Sequence, residues 1–287
     1  TINISERILD EKIYLQYSNN EIVDRISQLD HTLIKNILKY FKINSSFQIS
    51  TFSSMPLFTG LGSSSSMTVG LVLAILTMLD IKISKLKLAK ISHFIEREFC
   101  GLDGGVQDQY ISSLGGIQAI NISKTGNVSC NKINISSDNI KKLESGLMLI
   151  HTKVNRKSEE IIRSQSNNTS IIKNYDKIKN LGLLSKKLIE KGNVEELGFV
   201  MDKHWRIKKE ISNLMSNTYL DDIYLKLKNA GSNGGKIIGA GGGGFFLMAV
   251  PNNKERFVKQ LKKLNLKSIP FSFDFKGAHV LYKNKKT

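Results

Sequence analysis

Residues 56–70 read Pro-Leu-Phe-Thr-Gly-Leu-Gly-Ser-Ser-Ser-Ser-Met-Thr-Val-Gly, a glycine-containing loop that runs into four serines and then an apolar stretch. Gly60 and Gly62 allow tight or left-handed backbone and the close approach of a ligand. The first amides of the predicted helix have no intrahelical partner and lie at the positive end of its dipole. The stretch therefore predicts a phosphate site with serine hydroxyls as further donors or Mg²⁺ ligands. The alternative is an ordinary serine-capped helix.

Composition limits the class of protein. The 287 residues suffice for one large domain or two modest ones, and 40% of them are hydrophobic, as in a folded globular protein. We expect no membrane segment, since no apolar run reaches about 18 residues. Cys100 and Cys130 have neither metal-site nor disulfide spacing, which favours a reduced, cytoplasmic protein. The net charge of +17 comes mostly from lysines spread along the chain, which fits a general compositional drift better than a nucleic-acid groove. Attraction of an anionic small substrate fits this charge equally well.

Hydrophobic periodicity gives a coarse order of elements. We predict helices over residues 20–41, 86–99, most of 157–229, and 254–264. Predicted strands cover residues 47–52, 116–122, 128–135, 147–151, 236–238, 245–250, and short segments near 268–273 and 277–282. This alternation of helices and antiparallel strands favours an α+β fold over a doubly wound sheet. We place two domains, at residues 1–143 and 144–287.

A second group of polar residues joins a helix end to a glycine-rich turn. Glu96 lies near the end of the predicted helix, and Gly101-Leu102-Asp103-Gly104-Gly105 leads on to Asp108. Such a layout can bring both carboxylates to one cleft, where one holds a divalent metal and the other accepts a proton from a hydroxyl. The alternative is a solvated helix face followed by a turn aspartate.

The third segment, residues 231–245, is rich in glycine and contains a formal G-x-G-x-x-G at Gly239, Gly241 and Gly244. A dinucleotide fingerprint requires a helix after it, whereas Phe245 begins a predicted strand. A P-loop is also excluded, because Ile237 stands where serine or threonine is required. We expect instead a tight turn that passes close to a ligand or to the first glycine loop, or a purely structural turn.

Together the three segments resemble the small-molecule kinases named for galactose, homoserine, mevalonate and phosphomevalonate kinases, the GHMP kinases. Pro56–Ser66 is similar to their motif P-x-x-x-G-L-G-S-S, and Glu96 and Asp108 match a glutamate followed twelve residues later by aspartate in G-x-x-D-Q. The resemblance implies a ribosomal-protein-S5-domain-2-like N-terminal domain and a ferredoxin-like C-terminal domain. It also implies ATP and Mg²⁺ as cofactors, with Ser64 and Glu96 as metal ligands and Asp108 as catalytic base. The implied nucleotide-binding residues are Pro56, Gly60, Leu61, Gly62, Ser63, Ser64, Ser65 and Ser66.

Finer matches resemble the D-glycero-D-manno-heptose 7-phosphate kinase subgroup. They lie at Gln107–Tyr110 with Gly115-Gly116, at Thr152–Arg156 and at Met201–Ser212. The expected substrate contacts are Gln107, Arg156, Trp205, Lys208, Lys209, Gly241, Gly242 and Gly243. Trp205 offers a flat apolar face and the lysines suit an anion, but a core tryptophan and a solvated lysine face would explain them equally well. The chain departs from the subgroup at Lys153, where glycine is usual. The family's first motif, G-G-G-T-D, would lie just upstream of Thr1, and we expect either that a segment containing it precedes Thr1 or that the protein lacks part of its substrate site.

The implied reaction is transfer of the γ-phosphoryl group of ATP to a sugar hydroxyl. The resemblance points to the anomeric hydroxyl of a heptose 7-phosphate and to a 1,7-bisphosphate product. A kinase for a neutral sugar such as fucose, galactose or arabinose is one alternative, and a non-catalytic sugar or nucleotide sensor is another. We expect a monomer or homodimer that binds neither nucleic acid nor membrane.

Overall fold

A computed structural model describes residues 1–43, 46–55, 59–155, 158–164, 170–252 and 254–284. The strands are β1 (Ile2–Glu6), β2 (Ile13–Gln16), β3 (Asn20–Val23), β4 (Phe47–Thr51), β5 (Gln118–Ile122), β6 (Val128–Lys132), β7 (Leu147–His151), β8 (Gly234–Ile237), β9 (Phe245–Ala249) and β10 (Ser268–Ile269). The α-helices are α1 (Thr32–Tyr40), α2 (Ser63–Met78), α3 (Lys85–Phe94), α4 (Gln107–Leu114), α5 (Ser137–Gly146), α6 (Ser158–Arg163), α7 (Ser170–Glu190), α8 (Val194–Lys209), α9 (Thr218–Asn229) and α10 (Lys254–Lys263). Short 3-10 helices cover Ile26–Gln28 and Asn213–Met215, and a π-helical turn covers Ile95–Phe99.

The chain forms two compact units. The first contains Thr1–Pro56, Gly62–Cys130 and Asp274–Thr287, and the second contains Leu57–Leu61 and Asn131–Phe273. The domain boundary that we expect at 143/144 lies inside α5, so it does not coincide with the division between these units.

The first unit is built on a four-stranded sheet in the order β1-β4-β2-β3. Strand β4 pairs antiparallel with β1 and parallel with β2, and β2 and β3 pair antiparallel. Leu15 and Ile49 are register partners on β2 and β4 and are almost completely buried. They belong to a core that also includes Ile34 of α1 and Val72 of α2. Five apolar side chains of α2 are buried, namely Val69, Leu71, Val72, Ile75 and Leu76, as expected for a helix that is hydrophobic over most of its surface.

The second unit has an antiparallel sheet in the order β10-β7-β9-β8. Ile150, Phe246 and Ile237 are register partners on β7, β9 and β8, and all three are fully buried. Their core includes Trp205 of α8 and Leu220 of α9. Strand β9 thus lies between β7 and β8, and its residue Phe245 directly follows the glycine turn at residues 239–244.

Two element predictions are wrong. Residues 20–41 form strand β3, a 3-10 turn and only then α1, although their apolar residues have helical spacing. The amides of Asp30 and His31 donate to the buried Glu21 carboxylate, and the His31 ring accepts from the Ile34 amide, so the helix begins at Thr32. The spacing could not reveal the pairing of β3 with β2, since sheet partners override local propensity.

The predicted strand at 277–282 is absent from the structure of that segment. Gly277 instead takes a left-handed backbone with φ of 59°, and a Cβ there would lie 2.5 Å from the Ser113 carbonyl oxygen. The Ala278 amide donates to the Ser112 carbonyl at 2.9 Å. The segment is therefore packed against the end of α4 instead of pairing with a strand.

Among the described helices, none combines the length and the apolar character that crossing a membrane requires.

Candidate active site

The N-terminus of α2 is open to a ligand. Its N-cap is Gly62, which has φ of 69° and offers no side chain for capping. The first helical bond runs from the Ser66 amide to the Gly62 carbonyl at 2.9 Å, so the amides of Ser63 to Ser65 precede the helical ladder. Gly60 also has a positive φ, of 76°. These amides are donors of the kind that a phosphate can use, and phosphate binding here stays a prediction.

Glu96 is the centre of a buried hydrogen-bond network in the first unit. It is only 1% exposed. Its Oε1 atom accepts from the hydroxyls of Ser64 at 2.8 Å and Ser65 at 3.2 Å, and its Oε2 atom accepts from Gln109 Nε2 at 2.7 Å. Arg97 lies further away, with its NH2 atom 3.7 Å from Oε1. Among the described residues, three neutral donors therefore hold this carboxylate, and one cation, Arg97, lies within ion-pair distance of it.

A π-helical turn places Glu96 in this position. Over Ile95–Phe99 the helix widens, and the Cys100 amide donates to the Ile95 carbonyl at 2.9 Å. Glu96 is buried inside the turn, whereas Glu98 is exposed. Such turns are rare and often lie at functional sites. The sequence predicts a helix through residue 99 but carries no signal for its change of pitch.

Arg97 connects this turn to the glycine-rich loop that follows. Its NH1 atom donates to the carbonyls of Leu102 at 3.2 Å and Asp103 at 2.8 Å. A Cβ atom at Gly104 would lie 2.5 Å from Arg97 Cζ, so glycine leaves space for the guanidinium. Arg97 thereby fixes the course of the loop that leads to α4.

Asp108 lies in the first turn of α4, against the start of α2. A Cβ atom at Gly62 would lie 3.3 Å from Asp108 Cγ, which shows how closely the carboxyl approaches the start of α2. Burial raises the pKa of Asp108, the Arg97 charge opposes that rise, and the Glu96 charge adds to it. The structure therefore brings a metal-ligand candidate pair, Ser64 and Glu96, and a base candidate into one part of the first unit.

In the second unit the glycine turn at residues 239–244 packs tightly on protein backbone. A Cβ atom at Gly244 would lie 2.2 Å from the Thr59 carbonyl oxygen, and one at Gly243 would lie 2.6 Å from that of Val154. Thr152 donates to the Gly244 carbonyl at 2.9 Å through both its amide and its hydroxyl. The sequence predicts that this turn passes close either to a ligand or to the first glycine loop. The structure shows the approach to the loop, at Thr59.

Known proteins resemble the chain along almost its whole length. The sequence model of the family described as GHMP kinases N terminal domain matches residues 31–116 of this chain. D-glycero-alpha-D-manno-heptose 7-phosphate kinase of Campylobacter jejuni is 30% identical over 275 residues, which cover 93% of this chain and 81% of that protein. The chain belongs to the GHMP kinase family. It is therefore an ATP-dependent phosphotransferase that acts on an alcohol group, as the sequence predicts.

A solved structure and a further relative support the same assignment for this GHMP kinase. A D-glycero-D-manno-heptose 1-phosphate kinase from Bacteroides thetaiotaomicron superposes with a TM-score of 0.79 at 26% identity, covering 98% of this chain and 87% of that chain. Mevalonate kinase of Methanocaldococcus jannaschii is 28% identical over 239 residues, which cover 82% of this chain and 72% of that protein. The predicted α+β GHMP kinase fold is confirmed.

The predicted nucleotide-binding residues of this GHMP kinase differ in their surroundings. Ser64 and Ser66 are exposed, while Ser65 is 2% exposed and directs its hydroxyl to Glu96. Ser66 Oγ is 3.0 Å from Ser112 Oγ of α4. Ser65 thus offers a ligand its amide, not its hydroxyl. Gly60 and Leu61 are half-buried, and Pro56 lies outside the described residues.

The predicted substrate contacts are more dispersed. Trp205 is fully buried and packs edge-on against Phe246 at 6.4 Å between ring centroids, which favours the core role over a substrate contact. Lys209 pairs with Asp221 at 2.8 Å, and Lys208 donates to the Gly239 carbonyl. Gln107 is exposed beside Gly105.

The remaining predicted contacts are glycines and one arginine. A Cβ atom at Gly241 would lie 2.7 Å from the Met215 sulfur, and the Gly242 amide donates to the Met215 carbonyl at 2.6 Å. Gly243 packs against Val154 in the same way. Arg156 lies outside the described residues. Substrate contact by these residues stays a prediction.

Two site residues escaped the sequence reasoning, Gln109 and Arg97. Gln109 is fully buried and touches both Glu96 and Ser65. Gln109 belongs to the G-x-x-D-Q pattern. Its position directly after the candidate base Asp108 is the sequence signal that could have identified it as a site residue. Arg97 stands directly after Glu96 in a charged run, and nothing in the sequence distinguishes it from a solvated arginine.

Proposed function

We propose that this GHMP kinase transfers the γ-phosphoryl group of ATP to the anomeric hydroxyl of a heptose 7-phosphate, giving the 1,7-bisphosphate. The observation that carries the chemistry is the grouping of Ser64, Glu96 and Asp108 around the open start of α2. The sugar is supported by the C. jejuni relative, whose name specifies a heptose 7-phosphate, and by the Bacteroides structure, whose name specifies a heptose phosphate.

The residues present fit Mg²⁺. A serine hydroxyl and a glutamate carboxylate are hard oxygen donors, and Mg²⁺ in kinases commonly binds one or two carboxylates together with substrate phosphates. The described residues contain no cluster of three or more His, Cys, Asp or Glu that would form an all-protein site. Ser64 and Glu96 would hold the ion, which would neutralise charge on the nucleotide phosphates.

Asp108 acts as the base in this proposal. Its carboxylate accepts the proton of the sugar hydroxyl as the hydroxyl oxygen bonds to the γ-phosphorus and the bond to the β-phosphate oxygen breaks, releasing ADP. The amides at the start of α2 hold the phosphates, so catalysis rests mainly on positioning and charge stabilisation. The raised pKa of Asp108 makes its ionised form a better proton acceptor than an ordinary aspartate.

A substrate panel tests the sugar. ADP release is measured with heptose 7-phosphate, heptose 1-phosphate, unphosphorylated heptose, galactose, fucose and mevalonate. We expect kcat/KM to be highest for heptose 7-phosphate, and ³¹P NMR of the product to show a new anomeric phosphate. A preference for a neutral sugar or for mevalonate contradicts the proposed substrate.

Asp108→Asn tests the base. The amide preserves the shape but cannot take the proton, so kcat should fall by about 10²–10⁴-fold, with ATP binding retained. Ser112→Ala, on the same helix, is the matched control and should keep near-normal turnover. Near-normal turnover of Asp108→Asn would show that another group accepts the proton. Binding of ATP without turnover on any sugar by the unaltered protein would favour a sensor.

A further inference from the structure

We propose that Gln109 and Ser65 are positioning residues that hold the Glu96 carboxylate in its metal-binding orientation. The proposal rests on the proposed role of Ser64 and Glu96 as Mg²⁺ ligands. It assigns a role to two buried side chains that have almost no contact with solvent and that lie beside, not in, the candidate metal site.

The three side chains form a closed triangle of hydrogen bonds. Gln109 Nε2 donates to Glu96 Oε2 at 2.7 Å and to Ser65 Oγ at 3.0 Å, and Ser65 Oγ donates to Glu96 Oε1 at 3.2 Å. Each carboxylate oxygen is therefore held by one member of the pair. Rotation of the carboxylate about its last side-chain bond would break both contacts at once.

Gln109 and Ser65 differ from Ser64 in their exposure to solvent. Gln109 is 0% exposed and Ser65 is 2% exposed, whereas Ser64 is an exposed residue. Glu96 Oε1 lies next to the exposed hydroxyl, and Oε2 lies against the buried amide. The network thus directs one oxygen toward Ser64 and keeps the other occupied by protein.

The chemistry of the amide matters for this role. An arginine or lysine at position 109 would also hold Glu96, but its charge would compete with a divalent cation. A carboxylate would repel Glu96. The neutral amide fixes the orientation and leaves the negative charge in place, as partners of metal-binding carboxylates commonly do.

Helix α4 couples this positioning to the base. Gln109 directly follows Asp108, and consecutive helical residues point about 100° apart. Asp108 accordingly lies against Gly62, while Gln109 lies against Glu96 and Ser65. One helical turn therefore fixes the candidate base and the orientation of the candidate metal ligand.

The test uses Mn²⁺ as a spectroscopic probe of the metal site. Binding of Mn²⁺ to the whole protein with a non-hydrolysable ATP analogue is followed by electron paramagnetic resonance for the unaltered protein, Gln109→Leu, Ser65→Ala and Glu96→Gln. We expect the Mn²⁺ dissociation constant to rise about 10–100-fold in Gln109→Leu and less in Ser65→Ala. In the double variant Gln109→Leu/Ser65→Ala, the rise in the Mn²⁺ dissociation constant should be smaller than the product of the two single rises, because both residues act on one network.

Ser113→Ala is the matched control. Ser113 is also fully buried on α4, and its hydroxyl donates to the Lys85 carbonyl at 2.7 Å, but it has no hydrogen bond to Glu96. This variant should lose thermal stability and keep the Mn²⁺ affinity of the unaltered protein. In kinetics, Gln109→Leu should raise the Mg²⁺ concentration for half-maximal rate and leave the KM of the sugar unchanged.

The outcomes separate this proposal from the proposed function. Unchanged Mn²⁺ affinity in Glu96→Gln shows that the metal assignment itself is wrong. Weakened binding in Glu96→Gln with unchanged affinity in both Gln109→Leu and Ser65→Ala overturns the positioning role alone. If Gln109→Leu does not fold, Gln109→Glu and Ser65→Ala decide the question by the same measurement.

Discussion

Two buried carboxylates, one in each unit, have different partners. Glu96 of the first unit accepts hydrogen bonds from the neutral side chains of Ser64, Ser65 and Gln109, and its one ion-pair partner among the described residues is Arg97, at 3.7 Å. Asp202 of the second unit, 7% exposed, accepts from the Tyr224 hydroxyl at 2.6 Å and pairs with Arg206 at 2.9 Å. A carboxylate proposed to bind a metal ion, Glu96, thus differs in its partners from a carboxylate that connects secondary-structure elements, Asp202.

Asp202 has two cations within ion-pair distance of its carboxylate. Besides Arg206, Lys228 approaches to 3.7 Å. The Tyr224 hydroxyl also donates to the Gly235 carbonyl at 3.1 Å, and burial followed by the Asp202 contact raises the pKa of that phenol. Asp202 therefore joins α8, α9 and β8. The stretch Met201–Ser212, the most distinctive match to the heptose subgroup, thus owes part of its pattern to architecture.

The largest expected effect is loss of activity in Glu96→Gln. Gln preserves the shape but removes the charge, so we expect kcat at fixed Mg²⁺ to fall by about 100-fold or more. The thermal midpoint should fall only modestly, because glutamine keeps the size of the side chain, although its NH2 group faces a donor where one carboxylate oxygen accepted, and Arg97 loses its ion-pair partner. Paired steady-state kinetics and thermal unfolding check both statements. A large loss of stability would place Glu96 with Asp202 as a structural residue.

Asp202→Asn should show the reverse. It leaves Arg206 and Lys228 without their partner and weakens the bond from buried Tyr224, so the unfolding free energy should fall by about 1–3 kcal/mol. Turnover per folded molecule should stay near that of the unaltered protein. Urea unfolding followed by circular dichroism measures the first quantity, and kinetics well below the unfolding transition measure the second. Asp222→Asn, at an exposed ion pair with Lys226, is the control and should have little effect.

A smaller effect is expected in the pH dependence of stability. The pKa of Asp108 is raised in the folded protein, mainly by burial, so the folded state holds its proton to higher pH than the unfolded chain. Stability should therefore fall as pH rises from the ordinary aspartate pKa, about 4, through the raised value. Asp108→Asn has no carboxyl to ionise and lacks this loss. In EDTA, the difference between its thermal midpoint and that of the unaltered protein should therefore grow in favour of Asp108→Asn as pH rises through this window, and become constant at higher pH. A constant difference across pH would contradict the raised pKa.

The smallest effect concerns Lys153, the position where the subgroup usually has glycine. Lys153 has φ of 61°, a left-handed conformation that costs a residue with a side chain about 1–2 kcal/mol. Lys153→Gly should therefore stabilise the protein by about 0.5–1 kcal/mol, after the greater freedom of glycine in the unfolded chain is subtracted. Chemical denaturation detects a change of this size. Gly182→Ala is a useful comparison, since α7 leaves space at Gly182 and helix propensity favours alanine there.

Elements could be predicted from the sequence where turn residues or hydrophobic periodicity decide the local structure. The glycine loop before α2, the β5–β6 hairpin and the strands on either side of the glycine turn follow from turn residues and periodicity. Prediction from the sequence failed at residues 20–31, because strand pairing overrode an apparent helical period. The Glu96–Gln109 contact could not be derived from spacing alone, since it depends on the π-helical turn and on the docking of α4.

The π-helical turn at Ile95–Phe99 has a consequence for insertions and deletions in this part of the chain. It sets the rotational position of the glycine-rich loop relative to α3, because each residue added to or removed from a helix turns the next one by about 100°. A chain one residue shorter here would close the turn as an ordinary α-helix, and the glycine-rich loop would leave the helix on a different side. A change of length across these five residues would therefore separate Glu96 from its partners on α2 and α4 without altering any of those residues.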